Sequence, residues 1–307
     1  MEKVIVVIGP TSVGKTKMGV ALAKKFNGEV ISGDSMQIYK QMDIGTAKVT
    51  EEEKEGIIHH CVDILNPDET YSVHDFQQTV TKKITEITQR GHVPIIVGGT
   101  GLYIKAALYD YQFDEMENDH HAINEKYKDY TNEQLHDHLK SIDEESAKIL
   151  HFNNRRRVLR AIEIYETTGK RKSEMLEEQE HICLYDAYFV GLTLPRDVLY
   201  ERINKRVDVM MENGLKEEME RLYSQGLTRN HQSMKAIGYK EWFDYYDHQI
   251  DLNDVLELIK KHSRQYAKRQ YTWFKNQFDV HWYDVNLENF EQTIEQVTDD
   301  IEKILKV

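Results

Sequence analysis

The chain has 307 residues, enough to bury one large core or two smaller ones, and a formal net charge of −13 from 40 basic and 53 acidic side chains. No apolar run reaches the roughly 17 residues that a membrane helix needs. Cys61 and Cys183 are the only cysteines and lack C-x-x-C spacing, which argues against a disulfide framework or a zinc site. With no signal-peptide pattern at the N-terminus, these features predict a reduced, cytoplasmic location.

Val4-Ile5-Val6-Val7-Ile8 is a continuous β-branched run, the pattern of a strand buried on both faces. Gly9-Pro10-Thr11-Ser12-Val13-Gly14-Lys15-Thr16 follows and matches G-x-x-x-x-G-K-[ST]. Met18, Ala21, Leu22 and Phe26 then recur at helical spacing. A glycine-rich strand-to-helix turn directs backbone N–H groups and the helix N-terminus at an anion, and Lys15 adds a full charge. Thr16 would place its hydroxyl on Mg²⁺. The segment predicts binding of a diphosphate or triphosphate.

Glu29-Val30-Ile31-Ser32 reads as a second strand. The first two strands of this topology commonly lie close together, which predicts Asp34-Ser35-Met36-Gln37 beside the cradle. Asp34 there suits a general base, or a water-mediated Mg²⁺ ligand. A plain turn after Gly33 would use the same residue. Ser72 and Asp75 form a capping box before Val73, Phe76, Val80, Ile84 and Ile87, and Gly91 stops that helix. Val93 to Val97 is a third apolar strand. It ends in Gly98-Gly99-Thr100-Gly101, offering a hydroxyl where a hydrolysing or switching NTPase usually has an Asp. Strands alternating with amphipathic helices predict an α/β fold, a P-loop doubly wound parallel sheet.

From about Tyr111 the pattern changes. Residues 114–119 are acidic, Thr131 and Gln134 cap a helix, and Asn154 to Thr168 forms another, ended by Gly169. Residues 111–185 are therefore a mostly helical insertion between core segments 1–110 and 186–307. Ala187 to Leu192 resumes the sheet. Pro195 opens a helix with Leu199, Ile203, Val207 and Met210 inward, closing near Asn213-Gly214. Arg202 and Arg206 share one face of it, either as a phosphate lid or as solvent-facing partners of Glu201 and Asp208. A late helix spans Asp254 to Asn276, Tyr283 ends a last strand, and an acidic amphipathic helix follows. The pairs His59-His60 and His120-His121 lack metal-ligand spacing and read as surface or loop histidines.

Two windows contain no acid. One, between Glu145 and Glu163, holds Lys148, Arg155, Arg156, Arg157 and Arg160; the other, between Glu257 and Asp279, holds Lys260, Lys261, Arg264, Lys268, Arg269 and Lys275. In so acidic a chain they favour a polyanion partner over ordinary solvated helix faces.

Taken in order, Gly9 to Thr16, Asp34-Ser35-Met36-Gln37-Ile38-Tyr39, Gly45-Thr46-Ala47-Lys48 and Gly98 to Tyr103 resemble the bacterial tRNA dimethylallyltransferases. So do Asn154 to Val158, Arg202 through Arg206, and Lys268-Arg269-Gln270-Tyr271-Thr272-Trp273-Phe274. Small departures are Ser12-Val13 in the loop and Val49 where a Pro often stands. The resemblance implies transfer of a dimethylallyl group from dimethylallyl diphosphate to N6 of the adenosine 3′ to the anticodon, in tRNAs reading codons that begin with U. It implies catalytic roles for Asp34, Thr100, Lys15 and Thr16, with Mg²⁺ on Thr16. Gly9 through Thr16 with Arg202 and Arg206 would hold the diphosphate. Asp34, Ser35, Met36, Gln37, Asn153, Asn154, Arg155, Arg156, Arg157, Lys268 and Arg269 would contact the tRNA anticodon stem-loop. No membrane and no obligate protein partner is implied. A P-loop small-molecule kinase and a nucleotide-switched nucleic-acid adaptor are the competing readings.

Overall fold

The computed structural model describes residues 1–111, 120–177 and 182–305, so the acidic run 114–119 lies outside the described residues. Six strands form one sheet: β1 (Lys3–Ile8), β2 (Gly28–Ser32), β3 (His59–His60), β4 (Val93–Gly98), β5 (Asp186–Thr193) and β6 (His281–Asp284). Every pairing is parallel and the strand order is β3-β2-β4-β1-β5-β6. Alternation along β1 divides the core in two. Val4, Val6 and Ile8 join one apolar cluster with Phe76, Tyr239, Trp242 and Phe274, while Ile5 and Val7 join another with Met18, Leu22, Val297 and Ile301.

The sheet corrects one expectation: β4 lies between β1 and β2, so the first two strands are not neighbours. In a doubly wound sheet, strand order need not follow chain order, and the apolar β4 is fully buried at Pro94, Ile95 and Ile96. Asp34 nevertheless stays near the cradle. Ile8 pairs with Gly98 and Ser32 with Val97, so three strands end level with one another. The Gly33 amide donates to the Val97 carbonyl at 2.8 Å, and the Thr100 amide donates to the Gly33 carbonyl at 3.2 Å.

The chain forms two compact units, residues 1–109 with 183–307, and residues 110–182. In the first, α1 (Lys15–Lys25) follows the glycine loop, α2 (Glu51–Lys54) and α3 (Val73–Gln89) start at capping boxes, and α4 (Gly101–Leu108) follows β4. The second unit holds α5 (His120–Lys126), α6 (Asn132–Ile142), α7 (Glu144–Ile149), α8 (Arg155–Thr168) and α9 (Lys172–Glu177). Its own core comprises Ile123, Tyr127, Leu135, Leu139, Val158 and Ile162. Back in the first unit come α10 (Arg196–Glu212), α11 (Leu215–Ser224), α12 (Trp242–Tyr246), α13 (Leu252–Gln277) and α14 (Phe290–Leu305). Among the described residues no helix is long and apolar enough to cross a membrane.

The first histidine pair also departs from expectation. His59 and His60 form β3, beside β2 at the sheet edge, and are half-buried rather than on the surface. His60 Nε2 meets Glu29 Oε2 at 2.6 Å, and Arg90 grips the same buried carboxylate. His120 and His121 begin α5.

Candidate active site

The turn from β1 into α1 is built from left-handed backbone that few sequences permit. Gly9 has φ 148°, Ser12 φ 66° and Gly14 φ 104°. At Gly14 a side chain is excluded twice over, since a Cβ there would stand 2.8 Å from the Phe290 ring of α14. Phe290 itself is capped by the Lys17 ammonium, 4.9 Å from its centroid. Val13 is fully buried. Lys15 Nζ donates to the Pro10 carbonyl at 2.7 Å, and Arg202 Nε donates to the Ser12 carbonyl at 3.0 Å. The Ser12 hydroxyl is buried with no hydrogen-bond partner among the described residues. An orphaned buried donor inside a glycine-rich cradle suits a ligand rich in acceptor oxygens.

A cavity of about 550 Å³ opens in front of this loop. Its wall includes Lys15, Thr16, Lys17, Asp34, Gln37, Glu53, Arg202, Lys205 and Arg206. Five cations against two carboxylates make it locally positive in an acidic protein. A second cavity of about 330 Å³ shares Thr11, Ser12, Asp34, Thr46, Ala47 and Arg206 with the first. Beyond that shared wall it adds apolar Ile203, Val207, Met210 and Ile259. Asp34 and Arg206 therefore sit where a polar and a more apolar chamber meet.

The charges there are tuned against each other. Burial first, and then the Arg206 charge, push Lys15 down to about 7 against the opposing pull of Asp34. Burial raises the Asp34 carboxyl above its ordinary range, opposed by the Met36 amide, Lys15, the Gln37 amide and Arg206. Arg206 is itself lowered, chiefly by burial. On α10, Arg202 is exposed and Arg206 half-buried, and Asp208 pairs with neither of them. Arg202 bonds the loop, Arg206 lines both cavities, and Asp208 pairs with Lys260 at 2.8 Å.

Asp34 Oδ1 accepts the Met36 amide at 2.8 Å, closing the turn that also suits this residue type. Thr100 accepts the Ser35 amide at 3.1 Å through Oγ1 and lies 3.3 Å from the Ser35 hydroxyl. Gln37 is held at both ends of its carboxamide. The Ser32 hydroxyl donates to Oε1 at 3.1 Å, and Nε2 donates to the Thr46 and Ala47 carbonyls at 3.4 and 3.3 Å.

The residues of the two basic windows have unlike partners. In the second unit the Arg155 guanidinium already donates to the Tyr130 and Tyr127 carbonyls at 2.7 and 2.6 Å. The Tyr127 carbonyl also accepts the Tyr130 amide at 3.1 Å, closing the turn before α6, and a five-donor fork reaches both carbonyls. Arg160 pairs with Glu163 at 2.9 Å. Asn153, Asn154, Arg156 and Arg157 are exposed, and Asn154 stands at the N-cap of α8 without a side-chain capping bond. On α13, Lys260 binds Asp208 and Arg264 binds Asn204 at 2.5 Å, whereas Lys268 and Arg269 are exposed.

Residues 37–277 match the protein-family model described as IPP transferase. The chain belongs to that family. Relatives named tRNA dimethylallyltransferase from Bacillus cereus (strain AH187) and Bacillus anthracis are each 54% identical over 287 residues, 92% of this chain and 90–91% of theirs. A solved tRNA isopentenylpyrophosphate transferase from Bacillus halodurans is 45% identical, with a TM-score of 0.75 over 100% of this chain and 99% of that one. A eukaryotic dimethylallyltransferase acting on tRNA is 33% identical and superposes at 0.86, covering 99% of this chain and 79% of its own.

Within this family member, several site residues carry no motif signal of their own. His59 and Glu53 line the larger cavity, and Tyr266 lines the smaller. Glu218 and Gln270 brace the loops from behind. Gln270 stands inside the cation-rich segment of α13, but it points inward and is 5% exposed. Its sequence cues were its place in the segment from Lys268 to Phe274 and a polar side chain out of step with the exposed face of the helix.

Proposed function

We propose that this chain transfers a dimethylallyl group from dimethylallyl diphosphate to tRNA. The observation that carries the reading is the convergence of Lys15, Arg206 and Asp34 on one cavity wall, in a chain 54% identical to named tRNA dimethylallyltransferases. The acceptor is N6 of the adenosine 3′ to the anticodon, in tRNAs reading codons that begin with U, and the reaction takes place in the cytoplasm.

In this scheme the allylic C–O bond breaks as the N6–C bond forms. The diphosphate departs into the cradle of Gly9 through Thr16, where Lys15, Arg202 and Arg206 offset the growing negative charge. Asp34 takes the N6 proton, and a carboxyl raised by burial is a stronger base than one in water. The apolar wall of Ile203, Val207 and Met210 shelters the dimethylallyl group from water. The base must leave the anticodon-loop stack to reach Asp34, and Ser35 and Gln37 read it there. Thr100 positions Ser35. Exposed Arg156, Arg157, Lys268 and Arg269 grip RNA phosphates.

Mg²⁺ fits the donor set. No cluster of three His, Cys, Asp or Glu side chains able to hold a metal occurs among the described residues. The Thr16 hydroxyl and the Asp34 carboxylate nevertheless share the cavity wall with the cradle. Hard oxygen donors supplemented by substrate phosphates and water are the set Mg²⁺ prefers. Bound there, the ion would neutralise diphosphate charge.

Incubating the protein with unmodified tRNA and radiolabelled dimethylallyl diphosphate, in parallel with labelled ATP, tests the reading. Label entering tRNA from the prenyl donor is the expected result. Phosphoryl transfer from ATP to a small molecule, with no prenylated tRNA, would establish the kinase reading instead.

A further inference from the structure

Glu218, on α11, is 2% exposed, and a buried carboxylate must be satisfied within the protein. This one has four donors. Oε2 accepts the Asp43 and Ile44 amides at 2.9 and 2.8 Å; Oε1 accepts the Gly45 amide at 3.0 Å and the Tyr239 hydroxyl at 2.6 Å. Three successive amides converging on one anion form the kind of nest that elsewhere captures phosphate. Here the protein's own side chain fills it. Gly45 is also packed closely against Tyr239, since a Cβ on it would stand 2.5 Å from that ring.

The immobilised segment leads straight to the base-reading residue. The Ala47 amide donates to the Ile44 carbonyl at 2.9 Å, and the Lys48 amide to the Asp43 carbonyl at 2.9 Å. The next two carbonyls, of Thr46 and Ala47, face Gln37 Nε2, while Ser32 holds Gln37 Oε1. Without those carbonyls the carboxamide of Gln37 would be free to rotate by half a turn, exchanging donor for acceptor. We propose that Glu218 is a positioning residue for nucleobase selection: it anchors segment 43–47 so that Gln37 presents one fixed hydrogen-bonding pattern. The proposal rests on Gln37 as a reader of the target base.

The test measures affinity of the full chain for two anticodon stem-loop RNAs, with adenosine or guanosine at the target position. Variants are Glu218→Gln, Tyr239→Phe, Gln37→Ala and the double variant Glu218→Gln with Gln37→Ala. Replacing the carboxylate by an amide removes an acceptor from the nest, so the adenosine-over-guanosine ratio should fall by about tenfold. Affinity for dimethylallyl diphosphate should change less than twofold. Tyr239→Phe removes one donor and leaves the nest, giving a smaller fall of the same sign even if Glu218→Gln does not fold. In the Gln37→Ala background Glu218→Gln should add nothing. An unchanged ratio in both Glu218→Gln and Tyr239→Phe, or an equal fall with Gln37 already absent, would overturn the role of Glu218. An unchanged ratio in Gln37→Ala alone would instead overturn Gln37 as reader, and the proposal with it.

Discussion

Gln270 accepts the Thr11 amide at 2.9 Å through Oε1 and donates through Nε2 to the Gly99 carbonyl at 3.0 Å. One buried carboxamide on α13 thus ties the phosphate cradle to the loop that leaves β4. The Tyr266 hydroxyl, one turn earlier, lies 3.3 Å from the same Gly99 carbonyl. The helix that shows Lys268 and Arg269 to solvent is therefore bolted to the donor-binding loop by its inner face.

Gln270→Ala leaves the Thr11 amide without its partner and the Gly99 carbonyl with the Tyr266 hydroxyl alone, a cost of about 1–3 kcal/mol for the unsatisfied amide. Thermal melts should show a loss of a few degrees. Steady-state kinetics should show a several-fold higher KM for dimethylallyl diphosphate, with tRNA affinity unchanged. Equal loss for both substrates would mean that the bridge supports the whole unit rather than the cradle.

Asp34→Asn keeps the turn, because the amide oxygen can still accept from Met36, but it cannot take a proton. Single-turnover transfer should slow by about two to four orders of magnitude with both substrates still bound. A near-normal rate would reduce Asp34 to a positioning role.

Lys15 is held down to about 7 by burial and by Arg206. A bound diphosphate raises it again, so the lysine is charged in the complex but largely neutral in the free protein above pH 7. Affinity for the donor is then full below about 7 and declines as pH rises through that value, by at most about tenfold per pH unit. Calorimetry at pH 8 in buffers of different ionisation enthalpy should detect proton uptake on binding. The inflection should vanish in Lys15→Met; its persistence would assign the titration to another group.

Arg155 and its neighbours separate two effects of charge. Arg156→Ala with Arg157→Ala should lower the log–log salt slope of tRNA binding by about two units, one for each phosphate no longer neutralised. Arg155→Ala should leave that slope alone and lower the melting temperature, since the Tyr130 carbonyl would lose its donor and the Tyr127 carbonyl would keep only the Tyr130 amide. A reversed pattern, with Arg155 setting the slope, would show that its carbonyl bonds yield to RNA.

Features encoded within a few residues were legible in advance. The cradle from Gly9 to Thr16 and the boxes Ser72–Asp75 and Thr131–Gln134 are short-range devices whose geometry follows from residue type. What escaped was long-range. Nothing near Glu218 in the chain marks it out, because its partners at Asp43 to Gly45 lie some 173–175 residues away. The insertion of β4 between β1 and β2 depends on how apolar runs sort at the centre of a sheet, which no single run reveals. Arg155 shares its charge with Arg156 and Arg157, and only the packing of the preceding turn distinguishes it.

The place of β1 bears on how the protein is made. Its two neighbours, β4 and β5, lie on opposite sides of unit 110–182 in the chain. On the ribosome, β1 and β4 emerge early, while the second edge of β1 stays open until β5 has left the exit tunnel. By then residues 110–182 are already outside and can settle around their own small core. Such delayed pairing slows folding and leaves an apolar edge open to unwanted partners. Synonymous codon changes that stall translation just before residue 186 should therefore promote aggregation of a protein whose finished sequence is unaltered.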